Sequence, residues 1–146
     1  MLPSQVLNSP SARHGHLLTS YHGSLHPGQI VLFGGNYGYV FYNQIYILNP
    51  HATVANLNFY NWTFVTPAST TAPPPITRAG GFVRNDALWI YGGLAAGNSV
   101  QHTLWSFNFA TKIWTSFLST QTGQTLPKPC YGCNLVFYDD TSFIRA

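Results

Sequence analysis

The 146-residue sequence predicts an all-β chain built from repeated four-stranded sheets, two of them complete and a third only begun. Three observations carry that reading. Apolar runs of four to seven residues, rich in Val, Ile, Phe, Tyr and Trp, are bounded by Gly, Asn or Pro. Helix formers never cluster at helical spacing, and prolines punctuate the links between units. The chain also repeats itself, landmark by landmark.

Residues 1–12 form a lead-in. The first unit, residues 13–77, opens at Arg13-His14-Gly15-His16-Leu17-Leu18, which starts the first strand. Its second strand, Ile30-Val31-Leu32-Phe33, runs into Gly34-Gly35; the third passes through Ile45-Tyr46-Ile47-Leu48, and the fourth surrounds Trp62. The second unit, residues 78–129, has the same order. It opens at Arg78-Ala79-Gly80-Gly81-Phe82-Val83, continues through Leu88-Trp89-Ile90-Tyr91 into Gly92-Gly93, then through Leu104-Trp105-Ser106-Phe107 to Trp114. A third, residues 130–146, begins at Cys130-Tyr131-Gly132-Cys133 and leads into Leu135-Val136-Phe137. Sixteen positions separate Trp62 from Arg78 and Trp114 from Cys130, so equal links imply equal geometry. Pro73-Pro74-Pro75 and Pro127-Lys128-Pro129 hold those links extended. The first unit is seven residues longer at two places, within 19–29 and within 50–58. Both are polar and turn-rich and are expected to be loops, which lengthen at little thermodynamic cost.

Arg-x-Gly-His before a strand, a hydrophobic strand ending in Gly-Gly, an aromatic strand and a closing Trp together resemble the kelch repeat, the blade of a β-propeller. The resemblance spans residues 13–137. It implies an incomplete propeller, because closed ones take about four to eight blades; further blades would come from a longer chain or another subunit. Its structural residues are Arg13, Gly15, His16, Gly34, Gly35 and Trp62, followed by Arg78, Gly80, Gly92, Gly93 and Trp114. Gly81 departs from the motif histidine, Cys130 and Cys133 replace the third Arg and His, and Asn43, Asn49, His102 and Asn108 stand where such blades often have aspartate.

Those landmarks have physical roles of their own. Paired glycines at a strand end permit positive φ and close approach of neighbouring groups. Trp62 and Trp114 are expected to pack between adjacent sheets, each burying on the order of 150–250 Å². Arg13 and Arg78 are expected to bridge backbone carbonyls or aromatic rings with their planar fork of donors.

Composition narrows the chemistry. The sequence is 45% apolar with mean hydropathy +0.02, which excludes disorder, and only 6% of it is charged. Glutamate is absent, leaving Asp86, Asp139 and Asp140. Three acids are too few for two-metal hydrolysis, calcium loops or a two-carboxylate glycosidase. A net charge of +3 from six scattered cations makes no nucleic-acid surface. No apolar run reaches eighteen residues, so no membrane span is expected, and residues 1–15 do not read as a secretory signal.

The remaining reactive groups do not converge. His22 and His26 lie among Gly23, Pro27 and Gly28, where a helix cannot align them, and His14 and His16 have no third ligand. No metal or cofactor is expected. Cys130 and Cys133 lack the second pair of a zinc ribbon and the βαβ setting of a redox motif, so they form a local disulfide or remain two buried thiols. Asp86 sits in the turn Arg84-Asn85-Asp86 rather than behind a histidine, so no catalytic triad is expected. Asn61-Trp62-Thr63 fits a glycosylation acceptor and, with the low charge, leans the compartment outward without assigning it.

Function is therefore expected in the loops, as a non-catalytic module for a protein partner. Residues 36–42 and 94–101 both follow Gly-Gly, and Tyr37, Tyr39, Tyr42 and Asn98 are the candidate contacts. The alternative is an extracellular carbohydrate-directed propeller, lectin-like or galactose-oxidase-like, whose aromatics stack on sugar rings. Copper chemistry of that kind needs ligands from more blades than this chain holds.

Overall fold

A computed structural model describes residues 5–54, 57–117, 127–137 and 143–145. The lead-in holds β1 (Gln5–Leu7), and the first unit holds β2 (Leu17–Ser20), β3 (Ile30–Phe33), the small pair β4 (Asn36–Tyr37) and β5 (Val40–Phe41), β6 (Ile45–Val54), β7 (Leu57–Val65) and, at its end, β8 (Ile76–Thr77). The second holds β9 (Gly80–Arg84), β10 (Ala87–Tyr91), β11 (Leu94–Ala95), a 3₁₀ turn at Ala96–Asn98, β12 (Ser99–Val100), β13 (Leu104–Asn108) and β14 (Ile113–Phe117). A third begins with β15 (Leu135–Phe137) and β16 (Phe143–Arg145), which pair antiparallel. The described residues contain no α-helix.

Two four-stranded antiparallel sheets dominate, ordered β2-β3-β6-β7 and β9-β10-β13-β14. Each is a meander in sequence order, as the four-strand repeat predicts. The β9–β10 hairpin closes through Asn85 and Asp86, whose φ angles of +48° and +59° make the turn that matches strand twist.

Period-two alternation decides which face is buried. In the first sheet Leu17, Phe33, Ile45 and Val65 oppose one another, as do Val31 and Ile47, and this inner face packs on the second sheet. The second sheet answers with Val83, Leu88, Ile90, Phe107 and Trp114. Trp114 is the joint itself: it is 3% exposed, 5.6 Å from the Phe33 ring across the interface and 5.0 Å from Phe107. The far face of the second sheet, with Tyr91 and Leu104, packs on Leu135 and the Cys130–Cys133 loop. The first strands of successive units lie side by side, β2 against β9 and β9 against β15.

Two expectations change. Residues 50–54 and 57–58 belong to strands instead of a loop: β6 and β7 pair out to Val54 and Leu57. The register slips between Asn49 and Ala52, and this bulge takes up Pro50, which has no N–H to give a ladder. Pairing then resumes between Ala52 and Phe59. The lead-in also contributes structure, since β1 adds to the outer edge of the first sheet, parallel to β7.

Candidate functional site

The candidate contacts grow out of the Gly-Gly corners. Gly34 and Gly35 have φ of +68° and +94°; Gly92 and Gly93 have +71° and +97°, the same conformation built twice. Gly35 N–H donates to the Ile76 carbonyl (2.9 Å) and Gly93 N–H to the Cys130 carbonyl (2.8 Å). A Cβ at Gly34 would stand 2.6 Å from the Ile76 oxygen, and one at Gly92 would overlap the Cys130 oxygen. Each corner thus receives the chain entering the next unit, and glycine is the residue that fits.

Beyond each corner the sequence expectation was a loop, and the structure has a short hairpin. In the first, Asn36 pairs with Phe41 and Tyr37 with Val40 around Gly38-Tyr39. Its base is fixed because Asn36 is buried, exchanges two main-chain bonds of 2.9 Å with His14, and donates from Nδ2 to the Gly38 carbonyl. Its tip is free: Tyr39 is 100% exposed and Tyr37 64%. In the second, Leu94 pairs with Val100 and Ala95 with Ser99, with exposed Asn98 at φ +60° in the turn. The hairpins face each other across a cleft of about 510 Å³ that includes Tyr39, Phe41, Pro74, Pro75, Ala95 and Gln101. No charged side chain lines it.

Tyr42 has a different place from Tyr37 and Tyr39. It is half-buried beneath the Arg13 guanidinium, 4.0 Å from its ring centre, and its main chain is bonded to Gly35 and Ile76. Arg13 also donates to the Gly34 carbonyl (3.2 Å) and to Gln44 Oε1 (2.9 Å). Burial pulls its pKa below the ordinary value, against the opposing influence of Tyr46 and Tyr42. Arg78 works through its backbone. Its side chain is exposed, and at φ +57° its N–H donates to the Gly15 carbonyl (2.6 Å) while its carbonyl accepts from Gly132.

The other landmarks vary in burial. His16 is half-buried, with a buried Nδ1 that has no hydrogen-bond partner. Gly15 and Gly80 are tightly packed by Thr77 and by the Cys133 carbonyl. Trp62 is only partly buried, its ring edge-on to Tyr46 at 6.5 Å. Asn61, the glycosylation candidate, lies mid-strand between β1 and β6 and accepts a bond from Asn8. Cys130 and Cys133 form a disulfide, and Tyr131 between them is exposed.

At the opposite ends of β2 and β9 a second cleft of about 590 Å³ is bordered by Ser20, His22, Phe82, Arg84 and Asn85. Ser20 Oγ lies 2.9 Å from His22 Nε2. A nucleophile there would need an acid behind the histidine, and Asp86 is the single carboxylate among the described residues. Both its oxygens are engaged: Oδ1 accepts from Tyr21 (2.9 Å) and the Leu25 N–H (2.9 Å), Oδ2 from Ser24 (2.8 Å). The Leu25 N–H, opposed by partial desolvation and aided by Ser24 and Tyr21, holds the Asp86 pKa down at about 2. Burial and the Asp86 bond push the Tyr21 phenol well above its usual range. Asp86 is a clamp between units, which its sequence position as a turn residue did not disclose.

Among the described residues no three His, Cys, Asp or Glu side chains gather into a metal-ligating group, and no helix is long and apolar enough to cross a membrane. No protein-family model matches the chain, and no curated protein matches it in sequence.

Proposed function

We propose that the chain is a non-catalytic protein-interaction module, a segment of a kelch-type β-propeller that presents its corner hairpins to a protein partner. The observation that carries this reading is the tip of β4–β5: two tyrosines on a hairpin anchored at Asn36, with Tyr39 wholly in solvent. Rigid aromatic side chains held off a fixed base are suited to fill a partner's pocket at low entropic cost. The facing hairpin supplies Asn98 and adaptable polar contacts.

Support for the propeller geometry comes from the duplicated corner angles, the adjacent first strands β2, β9 and β15, and the directional docking of each unit into the corner before it. Further sheets, from a longer chain or another subunit, complete the ring. The engagement of Asp86 within the fold supports a non-catalytic role.

The test is cross-linking capture of partners by the wild-type chain and by Tyr37→Ala/Tyr39→Ala, with folding checked by circular dichroism. Specific partners should be lost from the double variant, while an unchanged capture profile would refute the assignment.

A further inference from the structure

We propose that the Cys130–Cys133 disulfide is a redox-controlled latch: closed, it seats the third unit on the corner of the second, and a dithiol reductant opens it. This concerns a joint between units and not the hairpin tips, so it stands or falls separately from the partner reading.

The two joints between units are built alike. The chain entering the second unit gives the Ile76 carbonyl to the Gly35 N–H (2.9 Å), and two residues further on Arg78, at φ +57°, donates from its N–H to the Gly15 carbonyl (2.6 Å). The chain entering the third gives the Cys130 carbonyl to the Gly93 N–H (2.8 Å), and two residues further on Gly132, at φ +68°, donates from its N–H to the Arg78 carbonyl (2.8 Å). The same pair of main-chain bonds closes both.

Their support differs. At the second entry Ile76 and Thr77 are 2% and 4% exposed and pair with β11 as β8. The Ile76 N–H also donates to the Tyr42 carbonyl (3.0 Å), and the Thr77 hydroxyl to that of Gly15 (3.3 Å). At the third entry Cys130 and Tyr131 hold the corresponding places; Cys130 is half-buried, Tyr131 is 52% exposed, and residues 127–134 form no strand. The Tyr91 hydroxyl holds the link upstream, at the Pro127 and Lys128 carbonyls, and makes neither bond of the joint. Covalent closure stands where the second entry has burial and pairing. Cys130 and Gly132, which make both bonds of the joint, lie inside the ring that the disulfide closes, so the ring holds the carbonyl of one and the left-handed N–H of the other opposite Gly93 and Arg78. The two cysteines rest beside Tyr91, Leu104 and Leu135, and β15 starts two residues beyond Cys133, so the seat of the third unit is set here.

The pair is half-buried beside exposed Tyr131 and Gly132, within reach of solvent. A thiolate of the dithiol attacks one sulfur, the S–S bond breaks, and the other sulfur leaves as a thiolate that takes a proton. The reductant's second thiol then displaces the mixed disulfide, leaving two protein thiols and an oxidised reductant, with two electrons passed. Residues 130–133 regain the freedom that closure removed, and both main-chain bonds lose their common support. For a ring of four residues the chain-entropy relation puts that freedom at about twentyfold in the opening equilibrium.

Amide hydrogen exchange read by NMR on the full chain, before and after dithiothreitol, tests this, with thiol titration reporting the state of the pair. Reduction should speed exchange at Gly93 and Gly132 about twentyfold. Gly35, at the joint without a disulfide, should not change, and reoxidation with oxidised glutathione should restore the slow rates. Cys130→Ser/Cys133→Ser should exchange fast at Gly93 and Gly132 from the outset and ignore dithiothreitol. Unchanged rates at Gly93 and Gly132 on reduction overturn the proposal, as does equal acceleration at Gly35, a response to dithiothreitol that persists in the double variant, or a pair that already titrates as free thiols before reduction.

Discussion

Truncating Trp114 and Trp62 to alanine, one at a time, separates two residues that the repeat makes equivalent. Trp114 is 3% exposed and lies against Phe33 of the first sheet, Phe107 of its own, and edge-on to Trp105 at 6.2 Å. Its removal opens a cavity at the joint between the sheets, and buried Trp→Ala changes cost about 3 to 5 kcal/mol. Trp62 is partly exposed and lies edge-on to Tyr46 at 6.5 Å. Its loss should cost about 1 to 1.5 kcal/mol, the scale of an aromatic pair with modest burial. Domains of this size have about 5 to 15 kcal/mol in total, so Trp114→Ala can abolish folding outright. Trp114→Phe guards against that outcome: it keeps a ring at the joint and deletes a buried Nε1 donor that has no partner, so it should cost about 1 to 2 kcal/mol. Urea unfolding followed by far-UV circular dichroism measures all three. Equal costs for the two alanine variants, or a larger one for Trp62, would refute the inter-sheet role given to Trp114.

Two further predictions concern the clamp and the corners. Asp86 has a folded pKa of about 2, below the roughly 3.9 of an unfolded aspartate, so its contribution is fully present above about pH 4 and is lost as pH falls towards 2. Wild-type stability should therefore drop more steeply than that of Asp86→Asn across this window in acid-titrated melts; parallel curves would sink the clamp. Gly34→Ala and Gly38→Ala both force a side chain into left-handed backbone, at about 1 to 2 kcal/mol each. Only the Gly34 Cβ would meet a carbonyl, that of Ile76, so its Tm should fall further, and equal shifts would show that the corner has room.

Most of the sheet framework was legible because alternation and turn residues act locally. The second unit shows this well: Leu88, Ile90, Phe107 and Trp114 fall on one face by period two, and the hairpin turn is encoded by Asn85-Asp86 beside them. What escaped depends on distant partners. Pro50 reads as a stop, yet the bulge beside it lets Ala52 find Phe59. The three-residue β1 has no strong pattern and is a strand because β7 offers an open edge more than fifty residues away. Tyr37, Tyr39 and Tyr42 are indistinguishable by type and spacing; Arg13, far back in the chain, sets Tyr42 apart by stacking on it. Asp86 announces a turn, while its capture of Tyr21, Ser24 and Leu25 requires the lengthened segment 21–29 to fold back over the hairpin. That segment carries the seven extra residues at the first insertion, and anchoring it is their visible consequence.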